Sequence, residues 1–152
     1  MDTTTETAVN FTDEERAAMK ARTKEVRTAR GRAKKSPEEV YAEGLAEVQE
    51  KIAGLPDEDR MLGEQVQALV AENAPHLVPR TYYGMPAWAN AAGKVVCFFK
   101  PKSKFKVRYA TFEFESPAAL DDGNVWPVSF ALTRLEDADR EFLAALVRRA
   151  AS

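Results

Sequence analysis

The chain has 152 residues, 45% of them hydrophobic and 30% charged, with 22 Lys and Arg against 24 Asp and Glu and a formal net charge of -2. That size and apolar content suit one domain with a real core, with or without an appendage, and the balance excludes a strongly basic nucleic-acid protein and a strongly acidic one at whole-chain level. One cysteine, Cys97, and one histidine, His76, exclude an internal disulfide and a zinc site of the usual Cys and His kind.

The small net charge is a sum over four blocks of alternating sign. Arg16 to Lys35 holds nine bases and one acid, Glu25, a balance of +8. Ser36 to Pro75 holds ten acids and two bases, a balance of -8. Lys94 to Arg108 carries six bases and no acid, and Tyr109 to Asp139 carries seven acids and only Arg134. The +8 segment either neutralises the -8 segment within one molecule or stays available to a partner.

In chain order, Thr12 with Glu15 three residues on is a capping box that opens a first helix, its acids Asp13 to Glu15 at the positive dipole end and Gly31 at its close. The apolar stripe of this helix is thin, so a loosely docked appendage over residues 1–35 is expected ahead of one domain over 36–152. Ser36 caps a second helix with Pro37 in its first turn; Tyr41, Leu45, Val48 and Ile52 line one face, and Gly54 stops it. Pro56 and the acids Asp57 to Asp59 open a third, with Leu62, Val66, Leu69, Val70 and Asn73 on its face, and Pro75 and Pro79 bracket a rigid connection.

Eleven of the fourteen aromatic residues then fall between Tyr82 and Phe130. Val95 to Phe99 is a continuous apolar run suited to a buried strand. Phe105, Val107 and Tyr109 alternate with Lys104, Lys106 and Arg108, which predicts a strand with a basic outer face; Phe112 and Phe114 are out of phase, so a bulge near Ala110 or Thr111 is expected. Asp121 to Asn124 is a turn, Val128, Phe130 and Leu132 alternate as a last strand, and Glu136 to Ala150 is a final helix with Phe142, Leu143, Leu146 and Val147 inward. Helices, then short closely spaced strands, then a helix predict an α+β fold, with a mostly antiparallel sheet of about four or five short strands packed by the N-terminal helices and the C-terminal helix.

The run Tyr82-Tyr83-Gly84-Met85-Pro86-Ala87-Trp88 after two helices, the apolar strand Lys94 to Phe99, the Lys-rich stretch Lys104 to Thr111, the segment Ala119 to Pro127 and the N-terminal Phe11 to Met19 together resemble the YdhG-like family of small bacterial proteins, a domain of unknown function. The resemblance implies an α+β fold with an antiparallel sheet. For one branch, described as frataxin-like, it implies an intracellular iron chaperone with an iron-cluster or haem assembly partner. Many relatives carry a histidine after the lysine of the third strand; here Phe105 and Lys106 follow Lys104.

Gly84 admits a backbone conformation closed to other residues and Pro86 fixes the next bend, so Tyr82, Tyr83, Gly84, Met85, Pro86 and Trp88, with Lys104, Lys106 and Trp126, form a candidate ligand pocket; the plainer reading is a turn pinned by aromatic packing. Carboxylates suit iron, and the candidates are Glu113, Glu115, Asp121 and Asp122, although Asp121 and Asp122 also read as turn residues. Cys97 reads as a small inert hydrophobe. No Gly-rich phosphate loop, Gly-x-Ser-x-Gly elbow or His-Glu-x-x-His motif is present. With no predicted membrane span and no signal-peptide pattern at the N-terminus, the leading expectation is a non-enzymatic cytoplasmic ligand-binding protein, an iron chaperone if it follows that branch. One alternative is a nucleic-acid or anion-binding module using the basic helix and the Lys-rich strand; another is a small enzyme with an aromatic pocket.

Overall fold

Capping chemistry sets the first three helices. In the computed structural model, which describes residues 10–152, α1 spans Asp13–Arg32, α2 Pro37–Ala53 and α3 Asp57–Asn73. Thr12 Oγ1 accepts the Glu15 amide at 3.1 Å while the Glu15 carboxylate reaches back to the Thr12 amide, closing the expected capping box. Ser36 Oγ accepts the Glu39 amide at 3.2 Å, and Gly54 receives the end of α2. Gly31 does not stop α1, which continues one residue to Arg32. The acidic Thr-rich start of the chain falls on residues 1–9, outside the described residues.

Five strands follow: β1 Val78–Tyr82, β2 Met85–Ala89, β3 Val95–Lys100, β4 Ala110–Phe114 and β5 Ser129–Leu132, with the short α4 Lys102–Phe105 after β3 and α5 Asp137–Ala150 at the end. They form one antiparallel sheet in sequence order, so each connection is a local return and no crossover is needed. The α+β class and antiparallel sheet agree with the sequence.

Two corrections concern its details. The expected strand from Lys104 to Tyr109 is instead the single helical turn α4 and a bend, with Lys106 in the left-handed region at φ 52°. Strand β4 starts only at Ala110, so Phe112 and Phe114 are in phase with their own strand and need no bulge there. The register break lies between Trp88 and Ala89 of β2. It lets Val95 face the same side as Ala87 and Phe98 while Cys97 and Phe99 face the other.

The two sheet faces have different cover. On one, Trp88, Cys97, Phe99, Phe112 and Phe114 meet Val48 and Ile52 of α2, Leu62, Val66 and Val70 of α3, and Leu143 and Val147 of α5. Full burial of each large side chain contributes about 1.5–3 kcal/mol, so this layer dominates stability. On the other, a small cluster of Met85, Ala87, Val95 and Phe98 is walled by Tyr82, Tyr83 and Phe105. Gly44 of α2 approaches β1 so closely that a Cβ there would lie 1.9 Å from the Pro79 carbonyl oxygen. Phe142, expected inward, is 57% exposed and stands edge-to-face with Phe130, at 5.9 Å between ring centres. No helix among the described residues is long and apolar enough to cross a membrane.

Candidate functional site

The β1–β2 hairpin turns on two residues. Tyr82 pairs with Met85, and Tyr83 and Gly84 between them have φ of 51° and 77°. Two successive left-handed residues are what a tight hairpin with right-handed strand twist requires; glycine adopts that conformation freely, whereas tyrosine is strained in it. Both turn amides point at one acceptor from α1. Glu25 Oε2 accepts the Tyr83 amide at 2.9 Å, and Glu25 Oε1 accepts the Gly84 amide at 2.8 Å. A bidentate carboxylate thus offsets the strain of the tyrosine and ties α1 to the hairpin.

Cations and rings surround this carboxylate. The Arg22 guanidinium, one helical turn before Glu25, lies 5.0 Å from the Tyr82 ring centre and 5.6 Å from that of Tyr83, with Nη1 3.7 Å from Glu25 Oε2. That Nη1 is buried and has no hydrogen-bond acceptor. Lys104 of α4 reaches across to the Gly84 carbonyl at 3.3 Å, and burial holds its ammonium pKa below the usual lysine value. Arg80, two residues before Tyr82 on the same strand face, donates from Nη1 to the Gly93 carbonyl at 2.9 Å. Burial presses its pKa down, with Arg22 pushing in the same direction. Burial likewise raises the Tyr82 hydroxyl.

Beside the hairpin, α1, α2, β1 and the β2–β3 turn enclose an open groove of about 760 Å³, within the range of small-ligand sites. Lys24, Glu25 and Arg32 of α1, Glu47 and Lys51 of α2, and Arg80 of β1 line it.

Of the sequence-predicted pocket, Tyr82, Tyr83, Gly84, Met85 and Lys104 come together here. The others do not. Trp88 is 2% exposed and sits in the main core, because it lies on the opposite sheet face from Met85 and Ala87; Pro86 shares that face and is fully buried. Trp126 packs on the same core from the β4–β5 connection. Lys106 is exposed and pairs with Glu14 at 2.6 Å, which raises the lysine pKa and lowers that of the carboxylate.

The metal candidates are dispersed as well. Glu113 accepts the Thr111 hydroxyl at 2.8 Å on β4, Glu115 follows the end of that strand, and Asp121 and Asp122 are exposed in the connection to β5. Among the described residues no three His, Cys, Asp or Glu side chains converge as a metal site would require.

Arg22, Glu25 and Arg80 were not singled out from sequence, although Glu25 carried a signal as the one acid in a run of nine bases. No family model, curated protein or solved structure matches this chain.

Proposed function

We propose that the protein is a binding protein for nucleic acid, engaged through the outer face of α1. One observation carries this. Of the nine bases between Arg16 and Lys35, only Arg22, Arg32 and Lys35 pair with a carboxylate among the described residues. Arg16, Lys20, Lys24, Arg27, Arg30 and Lys34 are exposed and have no carboxylate within 4 Å among those residues.

Their spacing matters as much as their number. At 3.6 residues per turn, Arg16, Lys20, Lys24, Arg27 and Arg30 fall within an arc of about 120° and extend about 21 Å along the axis. That length matches about six phosphate steps along one strand of a duplex. The opposite face, with Glu14, Ala18, Ala21, Glu25 and Arg32, is turned to the protein. An anionic membrane fits less well, because α1 carries no Trp, Phe, Leu or Ile to enter the bilayer interface.

The Lys94 to Arg108 stretch adds little to such a surface. Lys102 pairs with Glu58, Lys106 with Glu14, and Lys100 and Lys104 lie against the Phe105 ring. The alternative that joined the basic helix to a Lys-rich strand is therefore narrowed to the helix. The YdhG-like assignment stands beside this as a proposal supported by the Tyr82 to Trp88 signature.

The test is fluorescence anisotropy with a labelled DNA duplex and a labelled single-stranded RNA across a salt series, with phosphatidylserine vesicles as a third arm. Binding at low salt is expected to fall with a log-log slope of about -0.9 per phosphate contacted on the duplex, and Lys20→Glu with Arg27→Glu to weaken it by at least tenfold with the fold retained. Binding to vesicles alone, or nucleic-acid binding unchanged by the double charge reversal, overturns the proposal.

A further inference from the structure

We infer that the Tyr83–Gly84 turn is the carboxylate subsite of a small organic acid, now filled by the chain's own Glu25, and that the adjoining groove takes the body of that acid. The inference does not rest on the outer basic face of α1, which meets the groove only at Lys24.

Three observations lead to it. First, two consecutive amides in a left-handed turn, both satisfied by one carboxylate at 2.9 and 2.8 Å, match the two coplanar oxygens of a carboxylate. Second, the subsite offers more than its occupant uses. Arg22 Nη1 is sealed from solvent and lacks an acceptor, and it stands 3.7 Å from Glu25 Oε2, beyond hydrogen-bond distance. A carboxylate free of a helix backbone can shift toward that guanidinium while keeping both amides. Third, Glu25, Gly84 and Ala21 all border the groove, so a ligand bound at the turn has somewhere to extend, toward Arg80 and Lys51.

The occupant is removable because of where it sits. Ala18 is the one residue of α1 that is buried, and the helix is otherwise held by polar contacts at its two ends and by Glu25 and Arg22 at the hairpin. Glu25 therefore competes with an external carboxylate as a tethered ligand, at an effective concentration set by the tether. Removing it exchanges intramolecular competition for an open site.

The probe is acetate, titrated into Glu25→Ala and into the unaltered chain, each against sodium chloride at matched ionic strength. Amide resonances of Tyr83 and Gly84 and the thermal midpoint are both followed. In Glu25→Ala, acetate is expected to move both resonances saturably and to recover at least half of the lost thermal midpoint, whereas chloride does neither. Affinity should be at least about tenfold higher than in the unaltered chain, and Arg22→Gln in the same background should lower it about tenfold. If Glu25→Ala does not fold, Glu25→Gln is titrated instead and must show the same order relative to the unaltered chain. Equal effects of acetate and chloride, unmoved turn resonances, or equal acetate affinity with and without Glu25 overturn the inference.

Discussion

Asp59 and Glu25 are two carboxylates put to the same use at different depths. Each accepts two consecutive backbone amides from a distant segment, Glu25 at the β1–β2 turn and Asp59 at the start of α4. Asp59 is 1% exposed; its Oδ1 accepts the Lys102 amide at 3.1 Å and its Oδ2 the Ser103 amide at 2.9 Å, with the Ser103 hydroxyl as a third donor. A buried carboxylate is tolerable only because those donors replace its hydration. Asp59→Ala removes the buried acceptor of the first two amides of α4, and urea denaturation should register a loss of about 2–4 kcal/mol. A loss under about 1 kcal/mol would mean that water satisfies these amides and that Asp59 does not anchor α4. Neither partnership was visible in sequence. Asp59 reads there as one more acid at a helix start, and only a contact 43 residues away in the chain gives it a different role.

Among the elements, α1 is the one whose attachment is chiefly electrostatic. Glu14 binds Lys106 at one end; Glu43 and Glu47 of α2 bind Arg32, and Glu43 also binds Lys35, at the other. The carboxyl pKa of Glu14 is lowered by its hydrogen bond to Lys106, and that of Glu43 by its hydrogen bonds to Lys35 and then Arg32. A folded pKa below the unfolded one contributes stability that is present above the unfolded value and is lost as pH falls through the folded value. Exposed pairs are also screened by salt. Hydrogen exchange should therefore show α1 amides losing protection below about pH 4, and earlier at high salt, while α3, β3 and β4 stay protected. Loss of protection in α1 and the sheet together would show that α1 belongs to the main cooperative unit.

The first three helices were legible in sequence because Thr12, Ser36, Gly54 and Pro56 act locally. The Lys104 to Tyr109 alternation misled because charge and apolarity alternate there for another reason. Phe105 closes the small cluster, while Lys102, Lys104 and Lys106 each reach a different partner.

At the scale of the molecule, the sheet separates a thick core from a thin one. Cys97 reports on the thick side. It is buried in β3 against β2 and β4, and burial pushes its thiol pKa far above the usual value. With the thiolate suppressed and the sulfur inaccessible, iodoacetamide at mildly alkaline pH should modify native protein only as fast as the sheet opens, and labelling should reach the rate of an unstructured thiol through the urea transition. Labelling at that rate in native buffer would contradict the packing of β3. The charge blocks resolve at the same scale. Three of the nine bases of the first block pair with carboxylates, two of them with α2, and six face outward. The net charge of -2 thus conceals one basic helix face rather than a neutral surface.

What the sequence determined alone is the four long helices, the α+β class and the buried character of the Val95 to Phe99 run, because caps, turn residues and hydrophobic period act within a few residues of chain. What only the tertiary structure decided is which aromatic residues share a site. Tyr82 and Met85 lie on one sheet face and Trp88 on the other, separated by strand parity. Arg22 and Glu25 reach the hairpin from about sixty residues earlier in the chain. Strand parity is short-range but needs the strand ends to be known. The approach of α1 depends on a single carboxylate meeting two amides, an interaction that no local periodicity encodes.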